Sequence, residues 1–329
     1  MRARMAALAL LVVGALAVTV AVALPTFLAP ALVKLPLDQK ARSTAIGHDL
    51  TVFYPGDLEE RSGVTATSVR NIAGDAGAPE AGADTAVWTV GNVVTDSEGV
   101  LIGVTEITAC FDRRTGLAVN PCASARLNGD NRITYAGQVF SFPFGTEQRD
   151  YEFFDPNVKA PFPARFVGVE EIEGLEVYRF EETIPETVTM TREVPGELAG
   201  GEEGTTVTAE AVYSNTRTLW IEPTVGSIVN GQEQIRQVFR GPDGEEGVTL
   251  LAGTLDFTPE AVSSNAALAR DGRALIVLLT VTLPIVLGIV GLLLLAGGVF
   301  LLVRRPAGAE PATAPLTRID AGPRAAQRG

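Results

Sequence analysis

The only two cysteines of this chain, Cys110 and Cys122, lie twelve positions apart on either side of a Thr-Gly pair. Such a pair can form a structural disulfide, act as a redox couple or contribute to a metal site. Redox couples are typically spaced CxxC, and a metal site needs more ligands than two cysteines and one histidine supply. The spacing therefore favours a structural disulfide that pins a strand to its return strand, and we expect neither a metal nor a cofactor.

Few other residues are suited to catalysis. His48 is the only histidine, so a Ser-His-Asp triad would have a single candidate base. The motifs G-x-S-x-G, H-E-x-x-H and G-x-G-x-x-G and the Walker loop are absent from the sequence. Residues 128–131, NGDN, offer oxygen ligands for calcium but are equally typical of a turn, which we favour. We therefore predict a protein that is not an enzyme.

Aromatic residues are concentrated in one segment, 139–156, which holds six of them around a polar turn. They are Phe140, Phe142, Phe144, Tyr151, Phe153 and Phe154. Such a cluster can fill the main hydrophobic core beneath a long hairpin. Alternatively, it can line an apolar cavity that holds a lipid. These six residues are the candidate ligand-cavity residues of the sequence.

Two apolar runs are each long enough to cross a membrane. No charged residue lies between Arg4 and Lys34, and none lies between Arg273 and Arg304. About 20 apolar residues cross the hydrocarbon core of a bilayer, so the second run predicts a transmembrane helix. The first run predicts an uncleaved signal anchor, which we favour because the run exceeds the usual signal-peptide core, or a signal peptide cleaved after residues 21–23.

The basic residues predict the orientation of these runs. Arg2 and Arg4 precede the first run, Arg304 and Arg305 follow the second, and basic flanks stay in the cytoplasm. The region 34–273 is therefore extracytoplasmic, where a cysteine pair is usually oxidised. It carries 19 basic and 37 acidic residues, and this net charge of −18 argues against nucleic acid as a partner.

The region 34–273 has the pattern of an antiparallel β domain. Segments rich in Val, Ile, Thr and aromatic residues alternate with Gly, Pro, Asn and Asp turns, and helical patterns do not separate them. Residues 71–84 and 195–204 are predicted loops, and Thr258-Pro259 predicts the start of a helix that leads into the second span. The predicted strands are 86–94, 100–111, 131–142, 164–172, 175–184, 205–214, 218–223, 227–239 and 248–257.

Two segments of this region resemble each other. FDRRTGLAVN (111–120) and IEPTVGSIVN (221–230) both have Gly at the sixth position and end in Val-Asn. They are either hairpins with the same turn chemistry, which we favour, or copies of a duplicated β unit.

Several motifs together resemble a known family. FPFGTEQRDYEFFDP (142–156), FDRRTG (111–116), GLEVYRF (174–180) and LWIEPTVGSIVNGQEQ (219–234) are similar to segments of actinobacterial two-span membrane proteins called PorA-like. The resemblance extends over nearly the whole chain, with the same order of span, β-rich ectodomain and span. It implies a porin of the mycolate-type outer envelope, and it supplies no catalytic residues.

The sequence thus predicts an α+β membrane protein in which two transmembrane helices flank one mainly antiparallel β domain. Its predicted parts are a cytoplasmic N-terminus (1–4), a first helix (5–33), an extracytoplasmic domain (34–273), a second helix (274–303) and a disordered cytoplasmic tail (304–329).

Because porins lack long apolar helices, we expect a protein of the cytoplasmic membrane whose β domain binds an apolar ligand or envelope component. The alternatives are a porin-like envelope channel component and a non-catalytic structural or interaction subunit. The expected partners are the lipid bilayer and a lipid or envelope ligand.

Overall fold

One large antiparallel sheet dominates the computed structural model, which describes residues 2–303. Most of its strands are joined by short turns, as expected for a meander. The strands in the described part of the chain are β1 (Lys40–Tyr54), β2 (Glu59–Gly74), β3 (Thr85–Asp96), β4 (Leu101–Asp112), β5 (Arg126–Leu127), β6 (Tyr151–Asp155), β7 (Ala160–Ile172), β8 (Leu175–Pro195), β9 (Thr206–Glu222), β10 (Ser227–Arg240) and β11 (Glu246–Phe257).

The order of strands in the sheet is β5-β4-β3-β2-β1-β11-β10-β9-β8-β7-β6. Strands that are adjacent in sequence pair with each other except β5 and β6, which form the two edges of the sheet. In addition, β1 pairs with β11, so the first and last long strands meet in the middle of the sheet. This pairing brings the two ends of the domain together, because β1 follows the first apolar run and β11 precedes the second.

The sheet curls into a half-barrel whose two edges are bridged at one end. Ala118 pairs with Phe111 of β4, Leu117 pairs with Gln138, and Gln138 pairs with Phe153 of β6. Backbone hydrogen bonds make the link, with Ala118 N donating to Gly137 O at 2.9 Å and Phe154 N donating to Gln138 O at 2.9 Å. The irregular segments 117–119 and 137–139 therefore take the place of regular strands between the edges.

The two sequence segments that resemble each other form equivalent turns at this end. Gly116 and Gly226 both have positive φ, 72° and 74°, which favours glycine. Segment 138–146 runs between the turns: Phe144 N donates to Arg114 O at 3.0 Å, and Phe142 N donates to Gly226 O at 2.9 Å. Both segments thus share the same turn chemistry, as favoured from the sequence.

Side chains alternate along the strands between an inner and an outer face. On β9, Tyr213, Arg217 and Leu219 are buried, whereas Thr216 and Thr218 between them are partly exposed. On this strand, apolar side chains and a few charges therefore lie inside, and polar side chains lie on the outer face.

The structure corrects several sequence-based strand assignments. Residues 131–142 do not form a strand, because their backbone bonds go to turns and to the edge of β6 instead of to a regular ladder. The predicted strands 205–214 and 218–223 are one strand, β9. The predicted loop 71–84 begins at residue 75, because β2 extends to Gly74.

The predicted strands do not include β1, β2, β5 or β6, and β8 is longer than predicted. The inner face of β2 carries Ser68 and Arg70 beside Ala66 and Ile72, so apolar and polar positions do not alternate cleanly along this strand.

The helices occupy both ends of the described chain. The first helical run comprises α1 (Arg2–Ala23), a π turn (Leu24–Leu28) and α2 (Ala29–Leu32); the second comprises α3 (Pro259–Val277), a π turn (Leu278–Thr282) and α4 (Leu283–Val303). Thr258 caps α3 as predicted, its Oγ1 accepting from Ala261 N at 3.2 Å. Residues 4–32 and 259–303 are long and apolar enough to cross a membrane.

The chain forms two compact units. In one unit, α1 and α4 pack together, and Gly14, Gly291 and Gly298 lie at their contact. The other unit, residues 24–282, contains the sheet and α3, whose Ala266 and Ala269 pack against Val177 and Val229. The predicted disordered tail, 304–329, lies outside the described residues.

The predicted disulfide is confirmed. Cys110 and Cys122 are bonded, with an S–S distance of 2.08 Å. The bond ties the end of β4 to the irregular segment after the Thr-Gly turn, which takes the place of the predicted return strand. Val119 N donates to Cys110 O at 2.9 Å across this loop.

Candidate ligand cavity

The concave side of the sheet encloses a cavity of about 490 Å³, a size common for small-molecule sites. Side chains from β1, β2, β3, β4, β6, β9, β10 and β11 face it. Most of the wall is apolar. These apolar residues are Ala45, Phe53, Ile72, Val90, Val94, Ile102, Val104, Ile107, Val139, Phe140, Phe153, Phe154, Leu219, Ile228, Ile235, Leu250, Leu251, Leu255 and Phe257, besides prolines and glycines.

A row of polar side chains crosses the wall formed by β1, β2 and β3. Ser43 pairs with Arg70 across the first two strands, and Arg70 pairs with Asn92 across the next two. All three residues line the cavity. Ser68, one pleat away, donates from Oγ to Asn92 Oδ1 at 2.7 Å, so the amide group of Asn92 is held in place.

A second polar cluster lies on the β9 side of the cavity and centres on Arg217. Its guanidinium bonds three carboxylates: Nε to Glu233 at 3.0 Å, Nη1 to Glu182 at 2.5 Å and Nη2 to Asp155 at 2.9 Å. Tyr213 donates its hydroxyl to the same Asp155 oxygen at 3.2 Å. Arg217, Asp155 and Glu182 are buried. Each of the three nitrogens of this guanidinium thereby bonds a carboxylate.

The protonation of the cluster follows from burial and from competition for one guanidinium. Burial raises the pKa of Glu182 to about 7, although the ion pair with Arg217 opposes this shift. For Glu233, burial also favours the neutral form, but the charges of Arg217 and Arg70 outweigh it and lower the pKa. Glu182 therefore titrates near neutral pH while Glu233 stays ionised.

The six aromatic residues of segment 139–156 separate into three groups. Phe140, Phe153 and Phe154 line the cavity. Phe142 and Tyr151 pack in a core cluster around Phe180, with the Phe142 and Phe180 ring centroids 4.8 Å apart. Phe153 belongs to this cluster as well.

The remaining aromatic residue, Phe144, lies at a separate and more open pocket of about 530 Å³ that Tyr178, Glu222 and Arg273 also line. In that pocket Glu222 Oε2 accepts from Val225 N at 2.8 Å, and Arg273 Nε approaches Glu222 Oε1 at 3.8 Å.

The other residues considered from the sequence lie away from the cavity polar groups. His48 is exposed on β1, with Nδ1 3.4 Å from Thr65 Oγ1. Asp130 of the NGDN segment is paired with Arg132 at 3.0 Å within a turn. Glu80 lies near the two cysteines, but a disulfide offers no thiolate to a metal.

Sequence reasoning missed the polar residues of the cavity. Asp155, Glu182, Arg217 and Glu233 come from four different strands, and their positions span much of the domain. One signal in the sequence could have indicated them: a charged residue at an inward position of a strand. Arg217, between Asn215 and Leu219 on β9, is an example.

Comparison with known proteins agrees with the sequence resemblance. The chain is 25% identical to a porin PorA of Corynebacterium resistens over 280 residues, which cover 62% of this chain and 68% of the relative. It is 26% identical to a porin PorA of Corynebacterium amycolatum over 313 residues, which cover 74% of this chain and 81% of the relative. A family model described as Porin PorA matches residues 6–300. The chain therefore belongs to the porin PorA family.

Proposed function

We propose that this protein is an envelope protein whose half-barrel binds an amphiphilic envelope molecule in its cavity. The observation that carries the proposal is the cavity itself: an apolar wall on the concave side of the sheet, interrupted by a few placed polar groups. This combination is typical of small-molecule sites, in which apolar surface supplies affinity and polar groups fix orientation.

The residues on the outer face of the sheet favour a domain that is surrounded by water. On β9, the outward positions include Glu210, Ser214, Thr216 and Thr218, whereas a strand that faces lipid carries an apolar outer band. The large apolar side chains exposed on α1 and α4, such as Val12 and Leu293, suit a bilayer instead. The helices are thus proposed as the anchor and the sheet as the binding domain.

The proposed location follows from charge and from the disulfide. In the sequence, arginines precede the first apolar run and follow the second, which favours two cytoplasmic termini and an uncleaved signal anchor. The Cys110–Cys122 bond suits an oxidising compartment outside the cytoplasm.

The family match favours a second candidate, a porin-like envelope channel, and it bears on that candidate more directly than on ligand binding. In one copy of the chain, α1 and α4 pack with glycine at their contact, so Gly14 and Gly291 bring the helix backbones close together. A conducting path through the helices would therefore require several copies.

Two measurements on the full chain in detergent separate the candidates. The first is mass spectrometry of co-purified lipid for wild type, for Ala45→Phe, which fills the cavity, and for Ala73→Phe, an exposed position on β2. We expect lipid with wild type and Ala73→Phe and a loss of at least half of it with Ala45→Phe.

The second measurement is single-channel conductance in planar bilayers. Conductance steps with wild type, together with no lipid in any sample, would contradict the binding proposal and favour the channel. Absence of both lipid and conductance would favour the structural or interaction subunit.

A further inference from the structure

We propose that the cavity selects amphiphiles with an anionic head, a carboxylate or a phosphate, and that Arg70 binds this head. The inference rests on the proposed cavity function and adds the class of ligand. It follows from an imbalance between the two arginines of the cavity, one of which is fully paired and the other of which is not.

Arg70 lies in the middle of the polar row, between Ser43 on β1 and Asn92 on β3. Among residues 2–303, neither a hydrogen-bond acceptor nor an ion-pair partner engages its guanidinium. Burial lowers the pKa of Arg70, but the side chain of arginine remains charged in proteins. Arg70 is only partly exposed, at the wall of the cavity, and a charge that is partly removed from water is unfavourable without a counter-ion. An anion in the cavity would supply this counter-ion.

The neighbouring acid does not meet this requirement. The negative charge of Glu233 attracts the guanidinium of Arg70, and the positive charge of Arg217 repels that guanidinium. However, Glu233 is held by Arg217 Nε at 3.0 Å. With Glu182 and Asp155 on its other nitrogens, Arg217 already has a carboxylate on each nitrogen, and these three carboxylates balance its charge. Arg70 is therefore the cation available to an incoming head group.

The groups beside Arg70 suit the same head. Ser43 Oγ is buried, lines the cavity and makes no hydrogen bond within the described residues. The planar guanidinium matches two oxygens of a carboxylate or phosphate, and a hydroxyl can donate to a third oxygen or to a bridging water. Ile72 and Val90, which pair across β2 and β3 next to this row, begin the apolar wall along which a chain would lie.

The test measures binding of a fluorescent polyene fatty acid and of the corresponding polyene alcohol to the full chain in detergent. Because the two probes share one chain, their affinity ratio reports the head group alone. We expect the acid to bind wild type about tenfold or more tightly than the alcohol, as for a charge-assisted hydrogen bond. The ratio should fall to near one in Arg70→Gln and lie between these values in Arg70→Lys.

The matched control is Arg236→Gln on the outer face of β10, where Arg236 pairs with Glu186 and Glu246. This variant should keep the wild-type ratio. The melting temperature of Arg70→Gln should not fall below that of wild type, because the substitution removes no hydrogen bond of the empty protein.

Each other outcome has a distinct meaning. Equal binding of acid and alcohol by wild type, or an unchanged ratio in Arg70→Gln, would overturn the assignment of the head group while leaving cavity binding in place. Binding of neither probe would overturn cavity binding and this inference with it. Displacement of the acid by inorganic phosphate alone would indicate that Arg70 binds a small free anion. It would overturn the proposal that the ligand is an amphiphile.

Discussion

At the scale of single residues, the interior of the half-barrel combines aromatic packing with buried charge. Phe142 contributes only to packing, whereas Phe140 lines the cavity and stacks against Trp88 with ring centroids 6.2 Å apart. A ring that faces a cavity lacks packing partners on one side, so it contributes less to stability than a fully enclosed ring. Neighbouring aromatic residues of one segment therefore have different roles.

The first prediction compares these two phenylalanines. Phe142→Ala should lower the free energy of unfolding by about 3–5 kcal/mol, the usual cost of a large core truncation. Phe140→Ala should cost clearly less and should reduce the lipid that co-purifies. Urea unfolding and lipid mass spectrometry on both variants check this. Lipid content that simply follows stability in both would contradict separate roles for the rings.

The second prediction concerns pH and Glu182. Its pKa is about 7 in the folded protein against 4.5 for an ordinary glutamate, so the folded state holds this proton more tightly than the unfolded state. Proton binding by Glu182 therefore stabilises the folded state fully below pH 4.5, and this stabilisation is lost as the pH rises through about 7. Replacing Glu182 with Gln removes this dependence.

We therefore expect the stability of Glu182→Gln, relative to wild type, to rise by up to about 3 kcal/mol between pH 4.5 and pH 8. Urea unfolding at three pH values across this range measures it. The control is Glu181→Gln, an exposed neighbour on β8, for which the relative stability should stay constant. A constant difference for Glu182→Gln would mean that Arg217 keeps this carboxylate ionised throughout.

At the scale of elements, close backbone approach explains the contact between α1 and α4. A Cβ atom on Gly291 would lie 2.8 Å from Val18 Cγ2 and 2.9 Å from Gly14 O, which is too close for either atom. In contrast, a Cβ atom on Gly297 would have no neighbour within 4 Å. Small residues that let helices approach are a common basis for helix association in membranes.

The third prediction uses an engineered cross-link to report this contact. Ala21 Cβ lies 4.0 Å from the position of a Cβ on Gly288, a separation that suits a disulfide. Ala21→Cys with Gly288→Cys should therefore oxidise readily within one chain. Adding Gly291→Leu should slow cross-linking several-fold, and adding Gly297→Leu should not. Equal rates in both variants would exclude Gly291 from the helix contact.

At the scale of the whole molecule, both helical runs connect to the middle of the sheet. The first run leads into β1 and the second follows β11, and these two strands are paired. Chain termini that enter and leave a domain side by side are compatible with two spans anchored in one bilayer. With two helical spans, the strands of the sheet need not cross the membrane.

The fourth prediction tests the proposed topology. A reporter that is active only in the cytoplasm should be active when fused after Arg305 and silent when inserted between residues 75 and 84. The insertion site follows from the structure, because residues 71–74 belong to β2 and would not tolerate an insert. Activity at the loop site would reverse the orientation inferred from the flanking arginines.

The sequence by itself determined the features that depend on local composition. Long runs without charge indicate the two apolar helices, and alternation with glycine turns indicates most of the strands. The disulfide followed because the chain has only two cysteines. The Thr258 cap followed from capping chemistry, which acts over three residues.

The tertiary structure alone decided the closure of the sheet and the chemistry of its cavity. Segments 117–119 and 137–139 bridge the edges through backbone hydrogen bonds, which any residue except proline can donate and which leave no pattern in the side chains. Arg70 and Arg217 resemble surface residues in the sequence. Only the curvature of the sheet turns them toward one cavity, and only the three carboxylates around Arg217 leave Arg70 as the unpaired cation.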